Sequence, residues 1–120
     1  MKTILVVDDS SVMRSMTKQT LEKQYNIIEA CNGKDALNEM QKPNAQIDLI
    51  LSDVNMPTMN GIEFLRNLKK NKSSIPLFFL SSEDENEFKK DCFECGAIGW
   101  IQKPYNPKNL LNIINSFFEA

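Results

Sequence analysis

Five short apolar runs punctuate the chain: Ile4–Val7, Asn26–Ala30, Ile47–Leu51, Ile75–Leu80 and Ala97–Ile101. Most are near-continuous rather than alternating. That pattern suits strands buried on both faces of a parallel sheet, where neither side of the pleat meets water. Helical segments lie between the runs, each with its own start or stop signals.

The first helix is predicted to start at Ser10 or Ser11 as N-cap, with Val12, Met16 and Thr20 on its inner face and Met13 and Leu21 beside them. The second starts at Asn32-Gly33 and carries Ala36, Leu37 and Met40. Asn60 followed by Glu63 is a variant capping box, in which the cap side chain satisfies an orphan backbone N–H; Ile62, Leu65 and Leu68 then face inward. A fourth helix begins near Asp84, carries Phe88, Cys92 and Cys95 on one side, and ends at Gly96 as a left-handed cap. The fifth has Asn106 as cap and Pro107 in the first helical position, where a missing N–H costs nothing. Leu110, Leu111, Ile113, Ile114, Phe117 and Phe118 follow.

Strict strand–helix alternation, repeated five times, predicts an α/β fold, a doubly wound parallel sheet with helices on both faces. One domain spanning 1–120 is expected. The last helix ends with the chain, which leaves no room for an output domain within it.

Composition narrows the function. A net charge of −2 is not the basic surplus of a nucleic-acid binder. No apolar run approaches the roughly 20 residues that span a membrane. The start, Met1 to Val7, runs into Asp8 and Asp9 too soon for a signal peptide, so a cytoplasmic monomer is expected. The chain has no histidine, which removes Ser–His triads and imidazole metal sites.

In such sheets ligands bind at the carboxyl ends of the strands. Strand one ends in Asp8-Asp9, strand three in Asp53, strand four in Ser81-Ser82 and strand five in Lys103-Pro104. A single strand-end Asp is usually a turn residue or cap, and a lone Lys before Pro usually a solvated loop. Three carboxylates, a hydroxyl and an ammonium on one rim are a different matter. Clustered carboxylates repel, so without a cation at least one should titrate high. Mg²⁺ relieves the repulsion, since it takes a few carboxylates and keeps water or phosphate oxygens as its other ligands. A carboxylate in that setting can attack a phosphoryl group. The transfer needs charge neutralisation more than proton chemistry, and Lys103 and Ser81 suit the phosphoryl oxygens.

Val6-Val7-Asp8-Asp9-Ser10, the run Leu51 to Gly61 through Asp53-Val54-Asn55-Met56-Pro57, Leu80-Ser81-Ser82 and Lys103-Pro104-Tyr105 together resemble the receiver domains of two-component response regulators. The resemblance covers essentially the whole chain. It implies the flavodoxin-like three-layer fold of the chemotaxis regulator, with strand order 2-1-3-4-5 and five helices; that regulator is itself a standard example of this topology. Carried over by residue, it implies that Asp53 is the phosphoacceptor. Asp9, Asp53 and the backbone carbonyl of Asn55 would ligate Mg²⁺ directly, and Asp8 through water. Ser81 matches the switch hydroxyl, Lys103 the phosphate-binding lysine, and Trp100 the aromatic that turns inward when Ser81 moves. The Lys103-Pro104 bond is expected to be cis. Asn55 and Glu83 match positions that tune loss of the phosphoryl group, which implies rapid autodephosphorylation.

The same resemblance implies a switch rather than an enzyme, phosphorylated by a sensor histidine kinase. The expected partner is a flagellar motor switch protein, or a histidine phosphotransfer protein if the chain is a phosphorelay intermediate. Trp100, Ser10 and Ser82 depart from common chemotaxis members. Other classes fit less well. A small Asp-nucleophile phosphatase would carry Asp-x-Asp on strand one, and a flavin binder a Ser/Thr/Gly-rich loop there. Cys92-x-x-Cys95 reads as core packing, because zinc would lack ligands and the pair lies near a helix C-terminus. Met13, Met16 and Met40 read as core fillers, and Asn109, Asn112 and Asn115 as a solvated stripe.

Overall fold

In the computed structural model the described residues are 1–43, 45–71, 73–81, 90–91 and 93–119. The elements run β1 (Thr3–Val7), α1 (Ser11–Leu21), β2 (Asn26–Ala30), α2 (Gly33–Met40), β3 (Leu49–Asp53), α3 (Gly61–Lys70), β4 (Leu77–Ser81), β5 (Gly99–Gln102) and α4 (Pro107–Glu119). All strand pairings are parallel, and the order is β2-β1-β3-β4-β5.

The register explains why the apolar runs are unbroken. Alternate residues point to opposite faces of a strand, and both faces are covered. Leu5, Val7, Ile50 and Phe79 pack with Phe64, Leu65 and Leu68 of α3 and Ala36 of α2. Ile4, Val6, Leu49, Leu51 and Leu80 pack on the other side with Leu21 of α1 and Leu110 and Ile114 of α4.

Strand boundaries shift from the apolar runs in an instructive way. Ile47 is buried, and the next residue, Asp48, closes onto Thr3 both ways: its side chain accepts the Thr3 N–H at 2.8 Å and its own N–H donates to the Thr3 carbonyl at 2.8 Å. β3 begins at Leu49 and continues through Ser52 and Asp53, with Asp53 opposite Leu80. Polar residues at the carboxyl end are thus part of the sheet.

The caps follow the sequence closely. Ser10 accepts from Met13 N, Asn32 from Asp35 N and Asn60 from Glu63 N. Asn106 accepts from Lys108 N, and Pro107 opens α4, the fifth helix of the sequence reading. Among the described residues there are four such helices, not five. The expected helix from Asp84, with Phe88 and Cys92, lies largely outside the described residues. Lys90, Asp91, Phe93 and Glu94 are helical, and Gly96 follows with φ +104, a left-handed position that suits glycine.

Helix α1 corrects the sequence reading. Val12 and Met16 are 67% and 49% exposed, and the buried residues are Thr17 and Leu21. Apolar spacing misplaced the inner face because Thr17 is polar yet fully satisfied. Its hydroxyl donates to the Met13 carbonyl and shares a hydrogen bond with the Tyr105 hydroxyl. Met16 is therefore no core filler, whereas Met40 packs on the core as expected. Asn115 likewise leaves the solvated stripe, since it accepts a hydrogen bond from the Tyr25 hydroxyl.

Candidate functional site: an acidic rim with one lysine

Among the described residues, the strand-end groups singled out by the sequence, Asp8, Asp9, Asp53, Ser81 and Lys103, lie on the carboxyl edge of the sheet. Asp8 directly follows β1 and is 1% exposed. Its N–H extends the ladder to the Ala30 carbonyl at 3.1 Å. Its carboxylate accepts from Ser10 N at 2.9 Å and from Lys103 Nζ at 2.7 Å. A carboxylate this deeply buried needs such partners, because an unpaired buried charge is severely penalised.

Asp9 is exposed and points the corner toward solvent. Asp53, the last residue of β3, accepts from Val54 N at 2.9 Å and stands 3.5 Å from Lys103 Nζ. One oxygen each from Asp8, Asp9 and Asp53 fall within 4.8 Å of one another. Burial is the main reason the Asp53 carboxyl is pushed up to about 6. Asp8 and Asp9 push it further up, against the Lys103 ammonium and the Val54 N–H, which pull it down. Lys103 itself titrates above its ordinary value. Burial would lower it, but the hydrogen bond it donates to Asp8 and the charge of Asp53 outweigh that.

The loops around these groups are held closely. Gly61 N donates to the Val54 carbonyl at 2.7 Å, and a Cβ on Gly61 would lie 2.5 Å from the Asp53 carbonyl oxygen. Only glycine lets α3 start so near the acidic strand end. Ser81 is buried at the end of β4, and its carbonyl accepts the Lys103 N–H at 2.7 Å. The Lys103-Pro104 bond is cis, as expected. Asn55 is exposed beside the rim, and Trp100 of β5, opposite Phe79 of β4, is partly buried and packed against the core cluster that holds Phe79. Ser82 and Glu83 lie outside the described residues.

The contacts made by Arg14, Thr17 and Tyr105 escaped the sequence reading. Arg14 donates to the Asp8 carbonyl at 2.6 Å and pairs with Glu29 at 3.4 Å. Thr17 and Tyr105 tie the lysine loop to α1. Arg14 stands one helical turn beyond the N-cap, and that was the signal available.

Hard oxygen donors in this number and spacing fit a divalent cation such as Mg²⁺, which would offset the repulsion that Asp8 and Asp9 add to the burial of Asp53. The rim can also neutralise a phosphoryl group, through Lys103.

Comparison with known proteins agrees with this geometry. The model of the response regulator receiver domain matches residues 4–115. The chain belongs to the response-regulator receiver family. It is 37% identical over 117 residues to the probable transcriptional regulator ycf29 of Pyropia yezoensis, covering 96% of this chain and 52% of that protein. It is 39% identical over 106 residues to a protein-glutamate methylesterase/protein-glutamine glutaminase of Treponema denticola, covering 84% of this chain and 28% of that one. The chain thus spans about half or less of these curated relatives. Chemotaxis protein CheY4 of Vibrio cholerae superposes with a TM-score of 0.89 at 37% identity, covering 97% of this chain and 98% of that one. Receiver domains are phosphorylated by histidine kinases and generally bind Mg²⁺ at an acidic pocket. Among the described residues, no helix is long and apolar enough to cross a membrane.

Proposed function

We propose that Asp53 accepts a phosphoryl group from a sensor histidine kinase, and that this chain acts as a switch rather than as a turnover enzyme. The observation that carries the reading is the convergence of Asp8, Asp9 and Asp53 within 4.8 Å, with Lys103 beside Asp8 and Asp53.

An oxygen of the Asp53 carboxylate attacks phosphorus, the bond to the donor's leaving group breaks, and an acyl phosphate forms. Lys103 Nζ neutralises the incoming phosphoryl oxygens, and Asp8 holds that ammonium in place. Ser81 supplies a hydroxyl at the neighbouring strand end. Asp8, Asp9, Asp53 and the Asn55 carbonyl are the residues that would hold Mg²⁺. When bound, the ion offsets the carboxylate repulsion and the charge of the phosphoryl oxygens. Phosphorylation then adds charge and acceptor oxygens. Ser81 moves toward them, Trp100 turns inward, and the face formed by β5 and α4 changes for its partner. Asn55 and Glu83 favour rapid loss of the phosphoryl group.

The output we favour is chemotaxis, through a flagellar motor switch protein. Similarity to CheY4 of Vibrio cholerae over nearly the full length of both chains supports it. A phosphorelay intermediate that passes the group to a histidine phosphotransfer protein is the second reading; binding to a motor-switch peptide against transfer to a phosphotransfer domain separates the two. Incubation with acetyl phosphate and Mg²⁺, read by mass, tests the core claim. Mass gain is expected on the wild type and not on Asp53→Asn. Gain on both would place the phosphoacceptor elsewhere.

A further inference from the structure

The inner face of α1 carries polar groups where apolar spacing had placed Val12 and Met16. Arg14 lies on that side, largely buried, with its side chain 18% exposed. One guanidinium nitrogen donates to the Asp8 carbonyl at 2.6 Å, and Nε stands 3.4 Å from Glu29 on β2. Lys18 reaches the same Glu29 at 3.6 Å.

These contacts complete an unusual restraint. The Asp8 N–H is bound to Ala30, its two carboxylate oxygens to Ser10 N and Lys103 Nζ, and its carbonyl to Arg14. All polar atoms of the residue are held, and the Asp8–Asp9 peptide plane is fixed with them. Arg14 grips the backbone behind the carboxylates rather than filling the space between them. Glu29 balances its charge, so it orients the acidic corner without competing as a counter-cation. A planar guanidinium can serve both oxygens at once; an ammonium is a single point charge.

We infer that Arg14, anchored by Glu29, is a positioning residue that sets the Asp8-Asp9 corner for divalent-cation binding. The inference rests on the proposed Mg²⁺-dependent function of the same rim. Groups that orient metal ligands from behind typically change metal affinity about 10- to 100-fold when removed.

The test is titration of the full chain with MgCl₂ alone by calorimetry, beside thermal unfolding in chelator. Arg14→Gln is expected to raise the Mg²⁺ dissociation constant about 10-fold. Arg14→Lys, which can hold only one of the two oxygens well, should fall between it and the wild type. The rate of labelling by acetyl phosphate should return toward wild type once either variant is saturated with Mg²⁺. A residue that merely stabilises the fold would lower the melting temperature and leave the Mg²⁺ constant within about two-fold, and that result overturns the inference. So does loss of the saturated rate with an unchanged constant. Arg14→Lys keeps the test open if Arg14→Gln does not fold. Failure of the wild type to bind Mg²⁺ would instead remove the functional reading, and this inference with it.

Discussion

Replacing Asp53 by Asn should stabilise the protein near neutral pH while abolishing its proposed reaction. The carboxyl titrates at about 6 in the fold against 3.8 for an unperturbed Asp, with burial as the leading cause and Asp8 and Asp9 adding to it. The sign is opposite to that of a salt-bridged Asp. Stability associated with this group is fully present below its unfolded value and is lost as pH rises through about 6, because the fold then holds a charge it disfavours. A rise of about two units corresponds to ~3 kcal/mol above the folded value, since each unit is worth ~1.4 kcal/mol. Asn has the shape of the neutral carboxyl, and its side-chain oxygen can still accept from Val54 N, so the variant keeps the fold without the charge. It should gain about 2–3 kcal/mol near pH 7, or roughly 10 °C in melting temperature for a domain of this size. Near pH 4.5 the gain should shrink to ~1 kcal/mol. The assay is urea unfolding in chelator across that pH range. Added Mg²⁺ should then stabilise the wild type more than the variant and narrow the gap, because only the wild type keeps all three carboxylates. An Asn variant no more stable than wild type near pH 7, or a gap that persists unchanged in acid, would refute the argument that Asp53 is held at an electrostatic cost.

Lys103→Met strips Asp8 of its 2.7 Å partner and should destabilise the fold by about 3 kcal/mol in urea unfolding, the usual cost of leaving a buried charge unpaired. It should also move the Asp53 titration above about 6 in an NMR pH series, because the Lys103 charge is the larger of the two influences that lower it. Gly61→Ala forces a Cβ to within 2.5 Å of the Asp53 carbonyl, so β3 and α3 must part; a loss of about 2–4 kcal/mol and much slower labelling by acetyl phosphate are expected. Met16→Gln should change stability by less than about 0.5 kcal/mol, since that side chain is half exposed; a loss near that of a core methionine would restore the inward face first read from the sequence.

How much of this was legible depended on which physical rule governed each residue. Unbroken apolar runs such as Ile4–Val7 announce strands covered on both faces, and the caps Ser10, Asn32, Asn60 and Asn106 announce helix starts through local hydrogen bonds. Strand–helix alternation then carries Asp8, Asp9, Asp53, Ser81 and Lys103 to one edge, so the rim could be found without any tertiary information. Residues whose polarity is satisfied over long sequence distances could not. Thr17 reads as surface until Tyr105, far along the chain, supplies its partner. Asn115 reads as solvated until Tyr25 donates to it. Arg14 reads as a solvated helix residue because its acceptors are a backbone carbonyl and a glutamate on a neighbouring strand.

Those hidden contacts share a direction. Arg14 and Thr17 lie three residues apart on α1, and residues so spaced share a helix face. One restrains the acidic corner after β1, and the other, through Tyr105, restrains the loop that carries Lys103. The site therefore has opposite charges on separate loops, with one helix bracing both. This division matters for a switch. Lys103 and Asp8 also meet directly at 2.7 Å, so a lysine that turns toward a phosphoryl group loosens that contact. The Arg14 brace on the Asp8 carbonyl does not depend on the lysine and keeps the acidic corner where a cation needs it. The cost carried by Asp53 fits the same logic, because a rim that is short of positive charge is relieved by a cation, and the relief is available only while the acidic corner holds its shape.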